Sequence, residues 1–492
     1  MKPLLLFCLL GCCILFCNAQ SQQDVDSVLY YANHFNDLSN REGKDDSAAF
    51  LLKRLAIFTP KTFPDIFSET VDNSFSQRFI KFSKDEMREN FAQSDSALNS
   101  LLVMFKEQRN TGEKILNKVI RDTNSLIQKY LTPLKYWVDE QNLIQKNKPT
   151  INMTEDFFQK YINQSSLDSA DKLYYLKYAL LLYQIEKGQP TNNKYSQQLL
   201  QNIYEHLNYL YSYYLSNNSK SNRVNIAKAK WLYAYASFSI ANNYLANDEN
   251  KEAEPYLRQA ALLSPNLNDQ SVKAGYFYDA VTLTHNPEKF DFYGEYINFL
   301  EKKNSPSSSV QSVYVDYALN YPEHKKDLKA YYNSHNDTTA SPFEKFWEDA
   351  NKTITKPAPN FSVKKIDGET FDLSNHKGKW ILIDFWGTWC GPCRAEHQDL
   401  NNFYIKSKEN KRNIEVITFA CRDTLPTVMQ YMKDYHYTFP VAMQQEKPDI
   451  IKMYPVNGYP SKMLINPKGE YVVIPFGIDW ENFINGYIGD SK

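Results

Sequence analysis

Glycine is scarce, at 15 of 492 residues. That is poor provision for turn-rich sheets, so helices are expected over much of the chain. Excess charge of either sign is also missing. The formal net charge is -1, which leaves no electrostatic footprint for nucleic acid. No stretch after the first nineteen residues is apolar enough to span a bilayer. Cysteine is short in the part that matters: of seven, Cys8, Cys12, Cys13 and Cys17 fall in the first nineteen residues. Cys390, Cys393 and Cys421 are left, with no spare pair for a structural disulfide. A second Cys-x-x-Cys pair, which a zinc site of the common kind requires, is absent as well.

What is present begins with a leader. Met1-Lys2 is a short positive start, Leu4 to Phe16 is apolar, and Cys17-Asn18-Ala19 ends in small residues. Residues 1–19 therefore read as a signal peptide cleaved after Ala19, and the chain as exported to the periplasm or cell envelope. The alternative is a lipoprotein-type start at Leu9-Leu10-Gly11-Cys12, which would anchor Cys12 to the membrane but leave apolar Cys13 to Phe16 unused.

Residues 20–340 read as helical, in one or two subdomains. Leu173, Leu176, Leu180 and Tyr183 recur at helical spacing, as do Leu200, Ile203, Leu207, Leu210 and Tyr214. Near 234–267, Ile240, Ala241, Tyr244, Ala253, Leu257, Ala260 and Pro265 follow the intervals of one tetratricopeptide-like hairpin, turning at Asn247 to Asn250. One such repeat cannot bury its own face, so similar hairpins are expected beside it. The 36 tyrosines are expected to pack between helices, with a ligand-binding groove as the alternative. A polar, breaker-rich stretch before Pro342 and the extended Lys356 to Asn360 mark 341–356 as a linker, carrying a short helix from Phe343.

From 357 to 492 strands and helices alternate, which implies an α/β sheet covered by helices. Trp380 to Trp386 is an apolar, β-branched run that reads as a buried strand. Cys390-Gly391-Pro392-Cys393 follows, and a helix starts there. The unpaired N–H groups and positive end of that helix favour a thiolate, the attacking species in disulfide exchange. Two cysteines on one turn can also close a reversible disulfide. Cys421 ends the apolar run from Val416 and is expected to be a reduced, half-buried strand-end residue.

Asp384 to Arg394 resembles the active site of thioredoxin. Ala358-Pro359-Asn360-Phe361, Gly378-Lys379-Trp380, Glu396 and Gly458-Tyr459-Pro460 are similar to the exported disulfide reductases of the TlpA and ResA type. The resemblance covers about residues 357–490. It implies a thioredoxin-like domain with Cys390 as attacking thiolate and Cys393 as resolving thiol. It makes Asp384 a buried acid that exchanges a proton with Cys393, with a strand-end Asp bonded to backbone as the alternative. Trp386 and Trp389 would wall the site. Pro460 would be a cis proline that forms, with Tyr459, a groove for an extended substrate. Gly391 and Pro392 match thioredoxin, whose potential of about −270 mV makes it a reductant. The family has proline two residues after the Glu; this chain has Gln398, preceded by His397. His397 shares a helix face with both cysteines, and a solvent-facing side chain is expected rather than a metal ligand.

The implied activity is a protein disulfide reductase that uses its own dithiol, with no other cofactor and no metal. Its partners would be disulfide-containing proteins and a membrane electron donor, and it would touch the membrane only if lipid-anchored. The rival from another class is a binding or scaffold protein whose helical half recruits a partner.

Overall fold

The structure is a computed structural model. It describes residues 22–488 apart from 63–65, 92–93, 164–168, 190–192, 218–222, 271, 338, 340–341, 446–448 and 457. Cleavage after Ala19 and acylation at Cys12 lie outside the described residues. The described residues form two compact units, one from 22–264 and 274–296, the other from 265–273 and 297–488.

The first unit is helical, as the low glycine content predicts. Its α1 (Ser169–Lys187) buries Leu173, Leu176, Leu180 and Tyr183, and α2 (Asn193–Ser216) buries Leu200, Ile203, Leu207, Leu210 and Tyr214. In α3 (Arg223–Leu245) most residues from Ala227 to Ala241 are buried, many of them small. Small side chains let neighbouring helices approach on every side of it. It turns through Asp248, at φ 60°, into α4 (Asn250–Leu262), which buries Ala253, Leu257 and Ala260. The chain thus forms two helices joined by a short turn at the residues where the sequence places one. Lys177 is fully buried in α1, where Asp72 and Asp279 (3.1 Å) meet its ammonium; Lys228 lies 3.2 Å from each of the same carboxylates. The charges are paired, as buried charges must be.

The second unit holds the α/β domain. Its central sheet has the order β1-β8-β7-β4-β5-β6. The strands are β1 (Lys356–Pro357), β4 (Trp380–Trp386), β5 (Ile414–Ala420), β6 (Val441–Met443), β7 (Ser461–Ile465) and β8 (Glu470–Ile474). A separate hairpin pairs β2 (Ser362–Lys364) with β3 (Thr370–Asp372). β4 runs parallel to β5 and antiparallel to β7. Successive side chains of a strand point to opposite faces. Ile381, Ile383 and Phe385 therefore join one core, with Phe361, Ile417 and Met463. Leu382 and Trp386 join the other, beneath α8 (Gly391–Glu409), α9 (Leu425–Asp434) and α10 (Trp480–Ile488). Asp384 falls between these two in the alternation and so shares the α8 face.

The segment 341–356 differs from a simple linker. It carries α7 (Phe343–Asn351), whose Phe343 and Trp347 enter the same core as Leu382 and Phe483. Leu319 of α5 (Ser307–Asn320) and Leu328 and Tyr332 of α6 (Lys325–His335) join them. Trp347 packs on Tyr487 with ring centroids 6.3 Å apart, and Lys325 Nζ donates to the Tyr487 carbonyl at 3.1 Å. Gly486 comes so close to Pro322 that a Cβ would lie 2.4 Å from its carbonyl carbon. Breaker-rich composition marked where the chain turns, but the apolar face of α7 still has to be buried, and α5, α6 and Tyr487 of α10 bury it.

Candidate functional site

The site forms where β4 ends. Trp386 closes the strand, and Gly387 begins the loop that leads to Cys390. A side chain at Gly387 would crowd its neighbours: a Cβ there would stand 2.5 Å from Trp389 Nε1 and 3.1 Å from the Cys421 carbonyl oxygen. Cys390 caps α8, with its Sγ accepting the Cys393 N–H at 3.2 Å. Gly391 and Pro392 fill the first positions of the helix, where proline costs no hydrogen bond. Cys390 and Cys393 are joined by a disulfide, and both are buried. The Cys393 N–H of this turn points at the Cys390 sulfur, the arrangement that stabilises a thiolate once the bond is reduced.

Pro460 follows a cis peptide bond after Tyr459. Its neighbour Ser461 pairs with Phe385, which brings the proline loop to the end of β4 that carries the cysteines. The Tyr459 ring meets Trp389 edge to face at 5.4 Å. Trp389 is 51% exposed, an open apolar surface beside the dithiol. Trp386 lies beneath, fully buried, with Nε1 donating to Thr418 Oγ1 at 3.0 Å. The structure thus brings Trp386, Trp389, Cys390, Cys393, Tyr459 and Pro460 together.

Asp384 is buried, 1% exposed, and burial pushes its carboxyl up to about 6 despite the pull of Lys462. Lys462 lies directly opposite it in the sheet register. The ammonium stands 3.2 Å from Asp384 Oδ1 and 2.5 Å from Glu396 Oε2. Burial works against that ammonium's charge, but the two carboxylates outweigh it and hold its pKa above the ordinary value. Lys462 was not picked out from the sequence. The available signal was its place two residues after Pro460, in alternation with Leu464 on the inward face.

His397 does not face solvent. It is fully buried, with Nδ1 2.9 Å from the Tyr431 hydroxyl and its ring edge-on to Trp386 at 4.5 Å. Burial, with Lys462 and Arg394 nearby, pushes its pKa down to about 3, so it is neutral. The reason is the helix period: Cys393, His397 and Leu400 form the sheet-facing stripe of α8. Among the described residues, no group of three or more His, Cys, Asp and Glu is gathered for a metal ion.

Cys421 is a free thiol and fully buried rather than half-buried. Burial pushes its pKa up to about 12, so it is inert as a nucleophile. Its backbone matters more: its N–H donates to the Trp386 carbonyl at 2.7 Å. Arg422, which follows it, places its guanidinium 5.6 Å from the Tyr459 ring. Asp423 accepts the Thr388 N–H at 2.7 Å and so fixes the loop before Cys390.

Residues 354–473 match the family model described as AhpC/TSA family. A thiol-disulfide oxidoreductase ResA from Bacillus cereus is 35% identical over 147 residues, 30% of this chain and 83% of that protein. The ResA from Bacillus subtilis is 33% identical over 135 residues, 27% of this chain and 74% of that protein. Among solved structures, a thioredoxin-family thiol:disulfide interchange protein from Chlorobium tepidum is 29% identical. That likeness covers 27% of this chain and 93% of the other, with a TM-score of 0.25.

Proposed function

This chain belongs, through its C-terminal domain, to the thiol-disulfide oxidoreductases of the ResA family, and on that premise we propose that it reduces protein disulfides through Cys390 and Cys393. The observation that carries this reading is the disulfide at the first turn of α8, with the Cys390 sulfur accepting the Cys393 N–H. In the reduced protein the Cys390 thiolate attacks one sulfur of a substrate disulfide, and the other leaves as a thiolate. Cys393 then loses its proton and attacks the Cys390 sulfur. The substrate's second thiolate leaves, the Cys390–Cys393 bond forms, and two electrons have passed to the substrate. Asp384 is the base for Cys393. Its elevated pKa suits it to take a proton near neutrality and return it when the cycle reverses. Trp389, Tyr459 and Pro460 receive the substrate strand.

The oxidised pair must be re-reduced, and a membrane electron donor outside this chain fits that need. Export to the periplasm or cell envelope rests on the leader read in residues 1–19. No helix of the described residues is long and apolar enough to cross a membrane. The helical half, with its tetratricopeptide-like hairpin, selects substrates. Turbidimetric insulin reduction by the whole chain tests the reading. Catalysis well above the reductant alone is expected. A rate equal to the reductant alone would leave the protein a binding or scaffold module.

A further inference from the structure

Three charged side chains meet beside the first turn of α8, and the exchange above uses only one of them. Asp384 comes from β4, Lys462 from β7 and Glu396 from α8. The lysine is fixed on all sides. The sheet register sets it opposite Asp384, its ammonium contacts both carboxylates, and the Trp480 ring lies 5.7 Å from Nζ. Side-chain exposure is 6% for Lys462, 1% for Asp384 and 27% for Glu396. A lysine held this far from water is rare unless paired.

We propose that Lys462 is a positioning residue of the dithiol site: it ties Asp384 to Glu396 so that the two acids share one exchangeable proton, one turn along α8 from Cys393. This rests on the exchange reading and adds a residue to it.

The argument is one of charge. With both acids ionised the trio carries a net charge of minus one; with one proton added it is neutral. Burial disfavours a net charge, so the trio takes up one proton readily and a second only with difficulty. One carboxylate therefore remains ionised across the neutral range. The other groups facing the trio do not alter this count. Cys421, at the end of β5, is a protonated thiol, His397 on α8 is neutral, and Trp480 on α10 carries no charge. Arg394 on α8 is hydrogen-bonded to the Tyr435 hydroxyl at 3.2 Å and mostly exposed, hence screened. When the Cys393 sulfur attacks Cys390 while both carboxylates are ionised, its proton passes to Asp384 and the trio goes from a net charge of minus one to neutral. The proton leaves through Glu396, the member that reaches solvent. Without the ammonium, burial and the neighbouring Glu396 carboxylate would hold the proton on Asp384 more tightly, and the base would be lost near neutrality.

The test uses the full chain with Lys462→Met, Lys462→Arg and Glu396→Gln. Reduced protein is mixed with dithiobis-nitrobenzoate in a single turnover from acid to alkaline pH. The first nitrothiobenzoate released reports attack by Cys390; the second reports resolution by Cys393. Lys462→Met is expected to raise the pH midpoint of the second release by about one unit or more. That slows it about fivefold near pH 6, while the first release changes less than about twofold. Lys462→Arg keeps the charge and should restore the midpoint. Glu396→Gln should lower it, because Asp384 then has the ammonium to itself. A folded Lys462→Met protein with an unchanged midpoint would overturn the proposal, and so would a shift in the same direction for Lys462→Met and Glu396→Gln. Carboxyl carbon NMR of Asp384 gives the same readout without turnover. Its titration midpoint should move up in Lys462→Met and down in Glu396→Gln, and an Asp384 midpoint indifferent to both would overturn the proposal too. Normal NMR shifts in a protein that releases no thiolate would instead sink the exchange reading and leave the coupling standing.

Discussion

The indole Nε1 of Trp389 donates a hydrogen bond to the carbonyl oxygen of Cys421 across 3.1 Å. One bond thus ties the exposed wall of the dithiol site to the end of β5. The contribution of Cys421 is its backbone, since its thiol is buried and protonated.

It follows that Cys421→Ser should leave disulfide reduction within about twofold of the parent, since the carbonyl remains in place. Gly387→Ala should not be tolerated in the same way. Its Cβ would collide with the Trp389 indole, and overpacking of this kind costs about 1–3 kcal/mol. The expected result is a higher KM for insulin and a shifted Trp389 fluorescence in a folded protein. Loss of most turnover in Cys421→Ser would call for a three-thiol relay instead.

Two buried groups should pull stability in opposite directions as pH changes. His397 has its pKa lowered from 6.5 to about 3. Its contribution is full above the ordinary value and is lost as pH falls toward the folded one. Asp384 has its pKa raised from 3.8 to about 6. Its contribution is full below 3.8 and is lost as pH rises through about 6. Between these values each proton gives a slope of at most about 1.4 kcal/mol per pH unit, with opposite signs. Asp384→Asn should therefore melt no lower than the parent at pH above 7. On acidification below pH 6 it should lose stability more steeply, because only the His397 slope remains. Melting curves across this range check both signs, and a lower melting temperature for Asp384→Asn under alkaline conditions would contradict the assignment.

A fragment starting at 297 should be more stable than one starting at 357. The shorter piece lacks Leu328, Tyr332, Phe343 and Trp347, which are buried in the same core as Leu382 and Phe483. Each fully buried large apolar side chain is worth about 1.5–3 kcal/mol, so a deficit of about 3 kcal/mol or more in urea unfolding is expected. Equal stability of the two fragments would show that these helices are not part of the domain's core.

Much of this was readable in the residues, for identifiable reasons. The run from Trp380 to Trp386 could only be a doubly covered strand, and a dithiol after it, with Tyr459-Pro460 later, fixed the α/β half. The stripes Leu173 to Tyr183 and Leu200 to Tyr214 gave the helices by period alone. What escaped depended on distant partners. His397 reads as surface in a polar stretch, but its place four residues after Cys393 turns it to the sheet. Lys462 reads as an ordinary strand lysine until the register sets it opposite Asp384. The core of α7 was hidden because a breaker-rich segment shows where the chain bends, not what its next helix packs on.

The central claim is the division of labour between the two cysteines, and trapping tests it most directly. Cys390→Ser and Cys393→Ser variants of the full chain are incubated with a disulfide-bonded protein, quenched with acid and run without reductant. Cys393→Ser should accumulate a mixed disulfide through Cys390, since attack proceeds and resolution cannot. Cys390→Ser should trap nothing and reduce nothing. Equal trapping by the two variants, or trapping by Cys390→Ser alone, would contradict the account.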